Sequence, residues 1–270
     1  MIYTLTLNPS IDIYSYFSEF EIGKINRPIN QQFVVGGKGI NVSKYLLRLG
    51  VPSIPIVVIG GFVGDYILND LSKDFKPVFF WQEECSRICH KIQTNCETAI
   101  NPNAHTIGEA KKQLNAFLKN LNQSDILIVS GSGQIEDYLD VLNQIKAKLV
   151  LDLPGKQLLA LAHLHAWIVK PNREELAEIE LNPRKAYDQL LGQAELILNT
   201  QGNDGATLVT PQIMYHIDSF GTDLKTTVGC GDAFLAGFIK SFQEGSSVIS
   251  SFHFANEYAY KMGKENQFLE

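Results

Sequence analysis

The stretch DILIVSGSG, at residues 125–133, is a short apolar run that ends in small and polar residues. It predicts a buried strand whose carboxyl end opens onto a turn. The same pattern recurs in MIYTLTL, IPIVVIG, KLVLDLPG, AWIVKPN and ELILNTQGNDG. Between the runs lie amphipathic stretches such as TIGEAKKQLNAFLKNL (106–121) and IEDYLDVLNQIKA (135–147). Strands that alternate with helices predict an α/β fold with a mostly parallel sheet covered on both faces.

Length and composition limit the classes of protein. The chain has 270 residues, of which 45% are hydrophobic, and we expect one domain over residues 1–270 with a substantial core. The net charge is −6 and there is no basic block, which disfavours a nucleic-acid partner but allows an anionic small molecule. The start, MIYTLTLNPSID, lacks the basic region of a signal peptide, and no run approaches the ~20 apolar residues of a membrane span. We therefore expect a cytoplasmic protein without a membrane partner.

The cysteines raise the question of a metal site. Three of the four fall in CSRICHKIQTNC, at residues 85–96, and the fourth is Cys230. The stretch lacks the C-x-x-C pairs of a zinc site, so the sequence favours free thiols in a reducing compartment.

Two strand-like segments, RPINQQFVV and RICHKIQT, have no helix of their own. We expect them to form a small β lid beside the main sheet, with strands from about residues 20–35 and 86–100. Phe33, Val35, Ile88 and Ile92 would then lie on a face that no helix covers. A small flap is marginal alone, so the sequence predicts a symmetric homodimer that buries this face.

The stretch TTVGCGDAFLAGF, at residues 226–238, places Gly229, Gly231 and Asp232 at the start of an apolar helix. The first N–H groups of a helix lack intrahelical partners and attract anions, and small residues let an anion approach them. A carboxylate there could take the proton of a hydroxyl that attacks a phosphoryl group. It could equally cap the helix, which is the commoner role for a single Asp.

Three further stretches carry candidate residues, and the last of them, KPNREEL, lies at the predicted rim of the sheet. In VVGGKGINV, Gly36, Gly37 and Gly39 surround Lys38, with Asn41 one turn further on, and suit either a ligand cradle or a tight strand-to-helix turn. In TLNPSID, Asp12 is either a ligand of sugar hydroxyls or a solvated turn residue. In KPNREEL, the spacing of Asn172 and Glu175 fits hydrated magnesium and a capping box equally well.

Together and in this order, these stretches resemble the PfkB (ribokinase-like) family of sugar kinases. The resemblance covers nearly the whole chain and implies a three-layer α/β/α sandwich with a β-strand lid. It implies ATP-dependent phosphorylation of a sugar phosphate. TLTLNPSID, Asn26-Arg27 and RICHKI are most similar to the members that act on fructose 1-phosphate and tagatose 6-phosphate. We expect fructose 1-phosphate as the acceptor and fructose 1,6-bisphosphate as the product.

The resemblance also implies roles for individual residues. Asp232 matches the catalytic base, and Gly229, Cys230 and Gly231 match the anion hole. The residues that match the substrate site are Asp12, Gly37, Lys38, Gly39, Asn41 and Arg87. The residues that match the ATP site are Lys170, Asn172, Thr200, Gly202, Gly205 and Asn256. Asn172 and Glu175 match the motif associated with Mg²⁺, through water.

The chain departs from the family pattern at several positions. Cys230 replaces an Ala of the anion hole, SGSGQIED around Ser132 replaces GSLP-x-G, and DLPG around Asp152 replaces D-[TC]-S-G. Two other functions therefore stay open beside the sugar-phosphate kinase. One is a kinase for a nucleoside or an unphosphorylated sugar, which the cations Lys38 and Arg87 disfavour. The other is a sugar-binding regulator without activity, which Asp232 and its two glycines disfavour.

Overall fold

A computed structural model describes residues 1–265 apart from 7, 105–106, 132, 135–138, 140–141, 143, 162–163, 222 and 225. Its strands are β1 (Ile2–Thr6), β2 (Ser10–Tyr16), β3 (Asn30–Gly36), β4 (Ser53–Ile59), β5 (Val78–Trp81), β6 (Arg87–Gln93), β7 (Glu97–Ile100), β8 (Ile126–Ser130), β9 (Lys148–Asp152), β10 (Ala166–Val169), β11 (Ala194–Thr200), β12 (Ala206–Val209) and β13 (Met214–Ile217). Its α-helices are α1 (Lys38–Arg48), α2 (Gly61–Leu71), α3 (Ala110–Leu118), α4 (Gly155–Ala160), α5 (Arg173–Ile179), α6 (Pro183–Leu191), α7 (Cys230–Gln243) and α8 (Val248–Glu265).

The central sheet has the strand order β13-β12-β11-β10-β9-β8-β1-β4-β5. Neighbouring strands run parallel from β5 across to β11, and β12 and β13 add an antiparallel edge. The predicted, mostly parallel sheet is therefore confirmed. Its carboxyl ends form one rim, as parallel strands require.

Helices cover both faces of this sheet because the strands are apolar on both sides. In β8, Ile126 and Ile128 pack into a cluster with α1, α7 and α8, whereas Leu127 and Val129 pack into a cluster with α3 to α6. Burying one such side chain contributes roughly 1.5–3 kcal/mol. The three-layer α/β/α sandwich is confirmed. No helix within the described part of the chain is long and apolar enough to cross a membrane.

The lid is a second sheet, in the order β3-β2-β6-β7. Strand β2 pairs antiparallel with β3 and parallel with β6, and β7 completes the sheet antiparallel to β6. The sequence predicted lid strands at about residues 20–35 and 86–100, and the structure has four strands: the first range holds β3, the second holds β6 and β7, and β2 lies outside both. Strand β2 was not predicted, because SIDIYSY begins directly after the turn at Asn8-Pro9. The strand predicted from about residue 20 begins only at Asn30, as β3, because residues 18–29 form a loop.

The base of the lid rests on helix α2. Val35 is 2% exposed and shares a core cluster with Val63 and Ile67 of α2, and Ile88 packs against the same cluster. The expectation that no helix covers these residues is therefore wrong for Val35 and Ile88. Phe33, further out, is 56% exposed. Only the outer part of the lid presents apolar side chains to solvent.

The sequence predicted helices over residues 106–121 and 135–147. The stretch 106–121 contains α3, which is confirmed although it is shorter than the amphipathic pattern. The stretch 135–147 falls largely outside the described residues.

Candidate active site

A cleft of about 1040 Å³ lies between the carboxyl ends of the central strands and the lid. The chain brings sixteen of the predicted residues to its wall: Asp12, Gly37, Lys38, Asn41, Arg87, Lys170, Asn172, Glu175, Thr200, Gly202, Gly205, Gly229, Cys230, Gly231, Asp232 and Asn256. The exception is Gly39, which is buried where α1 passes β1. A Cβ at Gly39 would lie 2.7 Å from Thr6 Oγ1 and 3.1 Å from the Leu5 carbonyl oxygen. Gly39 therefore permits close packing, and its neighbours form the wall.

The turn before α1 requires glycine for two different reasons. Gly37 has φ 134°, which side chains rarely adopt, and a Cβ there would lie 2.6 Å from Thr6 Cγ2. Gly36 is extended, but its Cβ would lie 2.8 Å from Asp12 Oδ2. The three glycines thus make a tight strand-to-helix turn and also bring the backbone to the cleft.

Helix α7 begins at the cleft with an open first turn. Its N-cap is Gly229, which has φ 76° and supplies no side-chain cap. The Cys230 N–H donates to the Thr227 carbonyl at 3.3 Å, whereas the N–H groups of Gly231 and Asp232 are first-turn donors for which the helix offers no i−4 carbonyl. An anion in the cleft can therefore bind these donors and the positive end of the helix dipole.

Asp232, the third residue of α7, contacts α1. Its Oδ2 accepts a hydrogen bond from Asn41 Nδ2 at 2.8 Å, and the residue is only 6% exposed. Burial and the nearby Asp152 carboxylate raise the pKa of Asp232 to about 7. The hydrogen bond from Asn41 and the charges of Lys38 and Lys170 act in the opposite direction. A carboxyl group with this pKa can take up a proton near neutral pH. This geometry favours the base over a helix cap.

Four charged residues form a network beside Asp232. The ammonium of Lys38 lies 3.0 Å from Asp152 Oδ1 and 3.0 Å from Glu175 Oε1, and Lys170 Nζ lies 3.2 Å from the same Asp152 oxygen. Burial opposes the charge of Lys38, but Asp152 and Glu175 outweigh it and raise its pKa. Burial likewise opposes the charge of Asp152, and the two lysines lower its pKa. Lys38 and Asp152 therefore hold each other in their charged forms.

Asn172 and Glu175 form the capping box of α5. The Asn172 side chain accepts from the Glu175 N–H at 2.7 Å, and Glu175 Oε2 accepts from the Asn172 N–H at 2.9 Å. No group of three His, Cys, Asp or Glu side chains in the described residues could hold a metal ion by itself. A magnesium ion that arrives with ATP needs less, because phosphate and water supply most of its ligands. Glu175, with the buried and unpartnered Asp152 Oδ2 close by, fits this lesser requirement.

The residues that match the ATP site of the family lie along one part of the cleft wall. Thr200 ends β11 and bridges to Asn172, and the 3₁₀ turn Gly202–Asp204 follows it. Asn256 of α8 donates to the Asp218 carbonyl at 2.9 Å and fixes the loop that leads to α7. Thr200, Gly202, Gly205 and Asn256 thus line the same cleft as Asp232.

The lid contributes a carboxylate and two cations. Asp12 lies on β2, and its Oδ1 accepts from Ser10 Oγ at 2.6 Å. Arg87 Nη1 donates to the Pro102 carbonyl at 3.0 Å and Nη2 donates to the Asn8 carbonyl at 2.8 Å. Its Nε is buried without a partner. Lys91 lies four residues further along β6 and also lines the cleft. The lid can therefore place a fixed positive charge over a ligand.

Asp152 was not among the predicted site residues, although a signal existed. Strands β9 and β10 are neighbours in register, so Asp152 and Lys170, which follow equivalent positions, had to meet as a buried pair. Lys91, which lines the cleft, was not among the predicted site residues either. The substitution around Ser132 falls outside the described residues.

Comparison with known proteins agrees with this geometry. The sequence pattern of the pfkB family of carbohydrate kinases matches residues 5–262. The chain is 35% identical to a 1-phosphofructokinase of Borreliella burgdorferi, over 94% of this chain and 89% of that protein. It is 31% identical to a D-tagatose-1-phosphate kinase of Bacillus licheniformis, over 95% of this chain and 90% of that protein. A phosphofructokinase-2 variant of Escherichia coli shares the fold, with a TM-score of 0.90 over 99% of this chain and 94% of that chain at 23% identity.

The family match covers nearly all of both sheets and every element that lines the cleft. Two relatives above 30% identity cover most of their own lengths and are sugar-phosphate kinases by name. The chain belongs to the pfkB family of carbohydrate kinases, which use ATP as the phosphate donor.

Proposed function

We propose that this kinase transfers the γ-phosphoryl group of ATP to a hydroxyl of fructose 1-phosphate, giving fructose 1,6-bisphosphate and ADP. The free thiols of its four cysteines support a cytoplasmic location. The observation that carries the proposal is Asp232, a buried carboxylate at the open first turn of α7 that faces the cleft. Two relatives named 1-phosphofructokinase, at 35% and 33% identity, support the choice of acceptor.

In this reaction the acceptor oxygen forms a bond to the γ-phosphorus as the bond to the β–γ bridging oxygen breaks. The proton of the hydroxyl passes to Asp232, and the bridging oxygen leaves on ADP. The first-turn N–H groups of Cys230 and Gly231 stabilise the negative charge on the transferring group. Mg²⁺, held by Glu175 through water, would supply charge neutralisation of the ATP phosphates. Base and anion site lie within one helical turn, so proton and charge are handled together.

The lid supports a phosphorylated acceptor. Arg87 is fixed by two backbone carbonyls, and its guanidinium brings a positive charge to the cleft that it lines. A charge-assisted hydrogen bond from a fixed guanidinium recognises phosphate well. An unphosphorylated sugar would leave this cation without an anion.

A panel of acceptors tests the proposal. Purified protein is given ATP and Mg²⁺ with fructose 1-phosphate, fructose 6-phosphate, tagatose 6-phosphate, tagatose 1-phosphate, fructose, ribose and adenosine, and ADP is measured. We expect the highest kcat/KM with fructose 1-phosphate. The second candidate is a tagatose phosphate, which the D-tagatose-1-phosphate kinase relative favours. Turnover of only unphosphorylated sugars or nucleosides would refute the proposal, and binding without turnover would favour the regulator.

We also propose that the protein is a homodimer joined through the lid. Ile29, Phe33 and Ile100 of the lid are 74%, 56% and 54% exposed. A second copy would remove this apolar surface from water. Sedimentation at micromolar concentration should give a dimer, whereas a fully active monomer would exclude it.

A further inference from the structure

The cation of Lys38 is turned toward protein carboxylates, although the residue lines the cleft. Lys38 is the first residue of α1, and its ammonium lies between Asp152 of β9 and Glu175 of α5. It therefore connects the turn that borders the sugar side to the helix that carries the magnesium-associated glutamate. No phosphate is needed to hold it there.

The charges of this network balance without a ligand. Two carboxylates, Asp152 and Glu175, face two ammonium groups, Lys38 and Lys170. Both ammonium groups use the same oxygen of Asp152, while Oδ2 is buried and has no partner. The Asp152 carboxylate is 0% exposed, and only one of its two oxygens has a partner. The other oxygen can therefore accept a further ligand without exposing new charge.

The two lysines differ in freedom. The Lys170 side chain also reaches the cleft but is only 4% exposed, whereas that of Lys38 is 34% exposed at the cleft wall. The Lys38 backbone is fixed by the Gly37 turn, so only its four-carbon stem can move. Of the two ammonium groups, Lys38 is the one that can leave.

We infer that Lys38 is a placeholder cation, which neutralises Asp152 and Glu175 until the divalent cation of ATP binds there and displaces its ammonium into the cleft. The inference rests on the proposed function and deepens it. A divalent cation attracts two carboxylates more strongly than a single ammonium does, and the two cations repel each other at this distance. The displaced ammonium then neutralises phosphate, so binding of the metal nucleotide strengthens binding of the sugar phosphate.

Metal binding alone tests the exchange, without turnover. Mn²⁺ affinity is measured by titration for the wild type, Lys38→Met and Lys38→Gln, with folding checked by circular dichroism. Removing the competitor should tighten Mn²⁺ binding about tenfold or more, a gain of about 1.4 kcal/mol. Adding Glu175→Gln to Lys38→Met should remove that gain. The matched control is Lys44→Met on the same helix, whose Nζ donates to the Val35 carbonyl outside the cleft.

A second measurement uses the unaltered chain, so it does not depend on how a variant folds. An amine-labelling reagent is applied with and without millimolar Mg²⁺, and labelled lysines are quantified by mass spectrometry. Mg²⁺ should raise the labelling of Lys38 and leave Lys44 unchanged. Unchanged Mn²⁺ affinity in both Lys38 variants, or unchanged labelling, would overturn the inference. Neither result depends on the acceptor, so the panel above can fail while the exchange holds, and the reverse.

Discussion

Asp152 and Asp232 are 0% and 6% exposed, whereas Arg87 and Lys91 of the lid are half-buried. The two carboxylates belong to the floor of the site, the charged cluster of Lys38, Asp152, Lys170, Glu175 and Asp232. The floor groups bind one another across long sequence separations, as Lys38 and Asp152 do over 114 positions. The lid cations bind backbone carbonyls or a side chain of a neighbouring loop. The floor is thus built on core strands and helices, and the lid on a thin sheet anchored at one end.

This difference separates reaction from recognition. Buried, paired charges have shifted pKa values and fixed positions, which suits proton transfer and phosphoryl chemistry. Half-exposed cations on a lid contribute binding of a charged substrate but little control of pKa. Substitutions on the floor should therefore change kcat, and substitutions on the lid should change KM.

The sharpest test of the floor is Asp232→Asn. Asparagine keeps the shape and can still accept the hydrogen bond from Asn41, but it cannot take a proton. We expect kcat to fall by about 10²–10⁴. ATP affinity should stay nearly unchanged, because the first-turn N–H groups remain. Stopped turnover assays and nucleotide titration measure the two effects, and near-wild-type turnover would return Asp232 to the role of a helix cap.

On the lid, Arg87→Ala should raise the KM for the sugar phosphate about 10- to 100-fold, because a charge-assisted contact is worth roughly 1.5–3 kcal/mol. The kcat should change less than in Asp232→Asn. Arg87→Lys keeps the charge but loses the fork that holds Asn8 and Pro102, so it should recover only part of the loss. A lower kcat with unchanged KM would place Arg87 with the floor and erase the distinction.

The floor was easier to predict than the lid. The alternation of apolar strands and helices indicated the sheet, and the rule that ligands bind at the carboxyl ends of strands placed Lys170 and Thr200 at one rim. Asp232 was indicated by its position at the start of an apolar helix, beside two glycines. These positions follow from periodicity, which is local in sequence. The family resemblance then supplied their roles.

The pairing of charges could not be predicted in the same way. Lys38 was expected beside the sugar phosphate, yet its ammonium lies between Asp152 and Glu175. Which anion a lysine meets depends on three elements that meet only in the folded chain. Strand β2 was missed for a similar reason, since its seven residues are stabilised by pairing on both sides with β3 and β6.

The pH dependence of turnover sharpens the assignment of the base. With a pKa of about 7, Asp232 is protonated and inactive as a base below that pH. We expect kcat/KM to rise about tenfold per unit up to pH 7 and to level off above it. The phosphate of the substrate also titrates near pH 6. Sugar-phosphate binding to Asp232→Asn over the same range isolates that contribution, and an identical profile in binding and turnover would exclude Asp232.

Stability should show the opposite trend. The folded chain keeps a proton on Asp232 up to about pH 7, whereas the unfolded chain loses it near the ordinary value of 3.8. The folded state therefore binds more protons between these values, and this group lowers the free energy of unfolding as pH rises through them. Asp232→Asn removes the effect, so its advantage over the wild type should grow from pH 5 to pH 8 by about 3 kcal/mol, because the wild type loses about 1.4 kcal/mol per pH unit up to about pH 7. Urea unfolding at both pH values measures this, and an advantage that shrinks would contradict the raised pKa.

Cys230→Ala should have the smallest effect, although Cys230 lies two positions from Asp232. In the proposed anion site Cys230 acts through its backbone N–H, which alanine keeps, while its Sγ donates to the Thr226 carbonyl at 3.5 Å. We expect kcat and KM to stay within about threefold and stability within about 1 kcal/mol. Burial and Asp232 raise the pKa of the Cys230 thiol to about 11, so it should also react with iodoacetamide much more slowly than the exposed Cys85. A large loss of kcat would show that the side chain takes part, and the floor would then act through more than its carboxylate and its backbone.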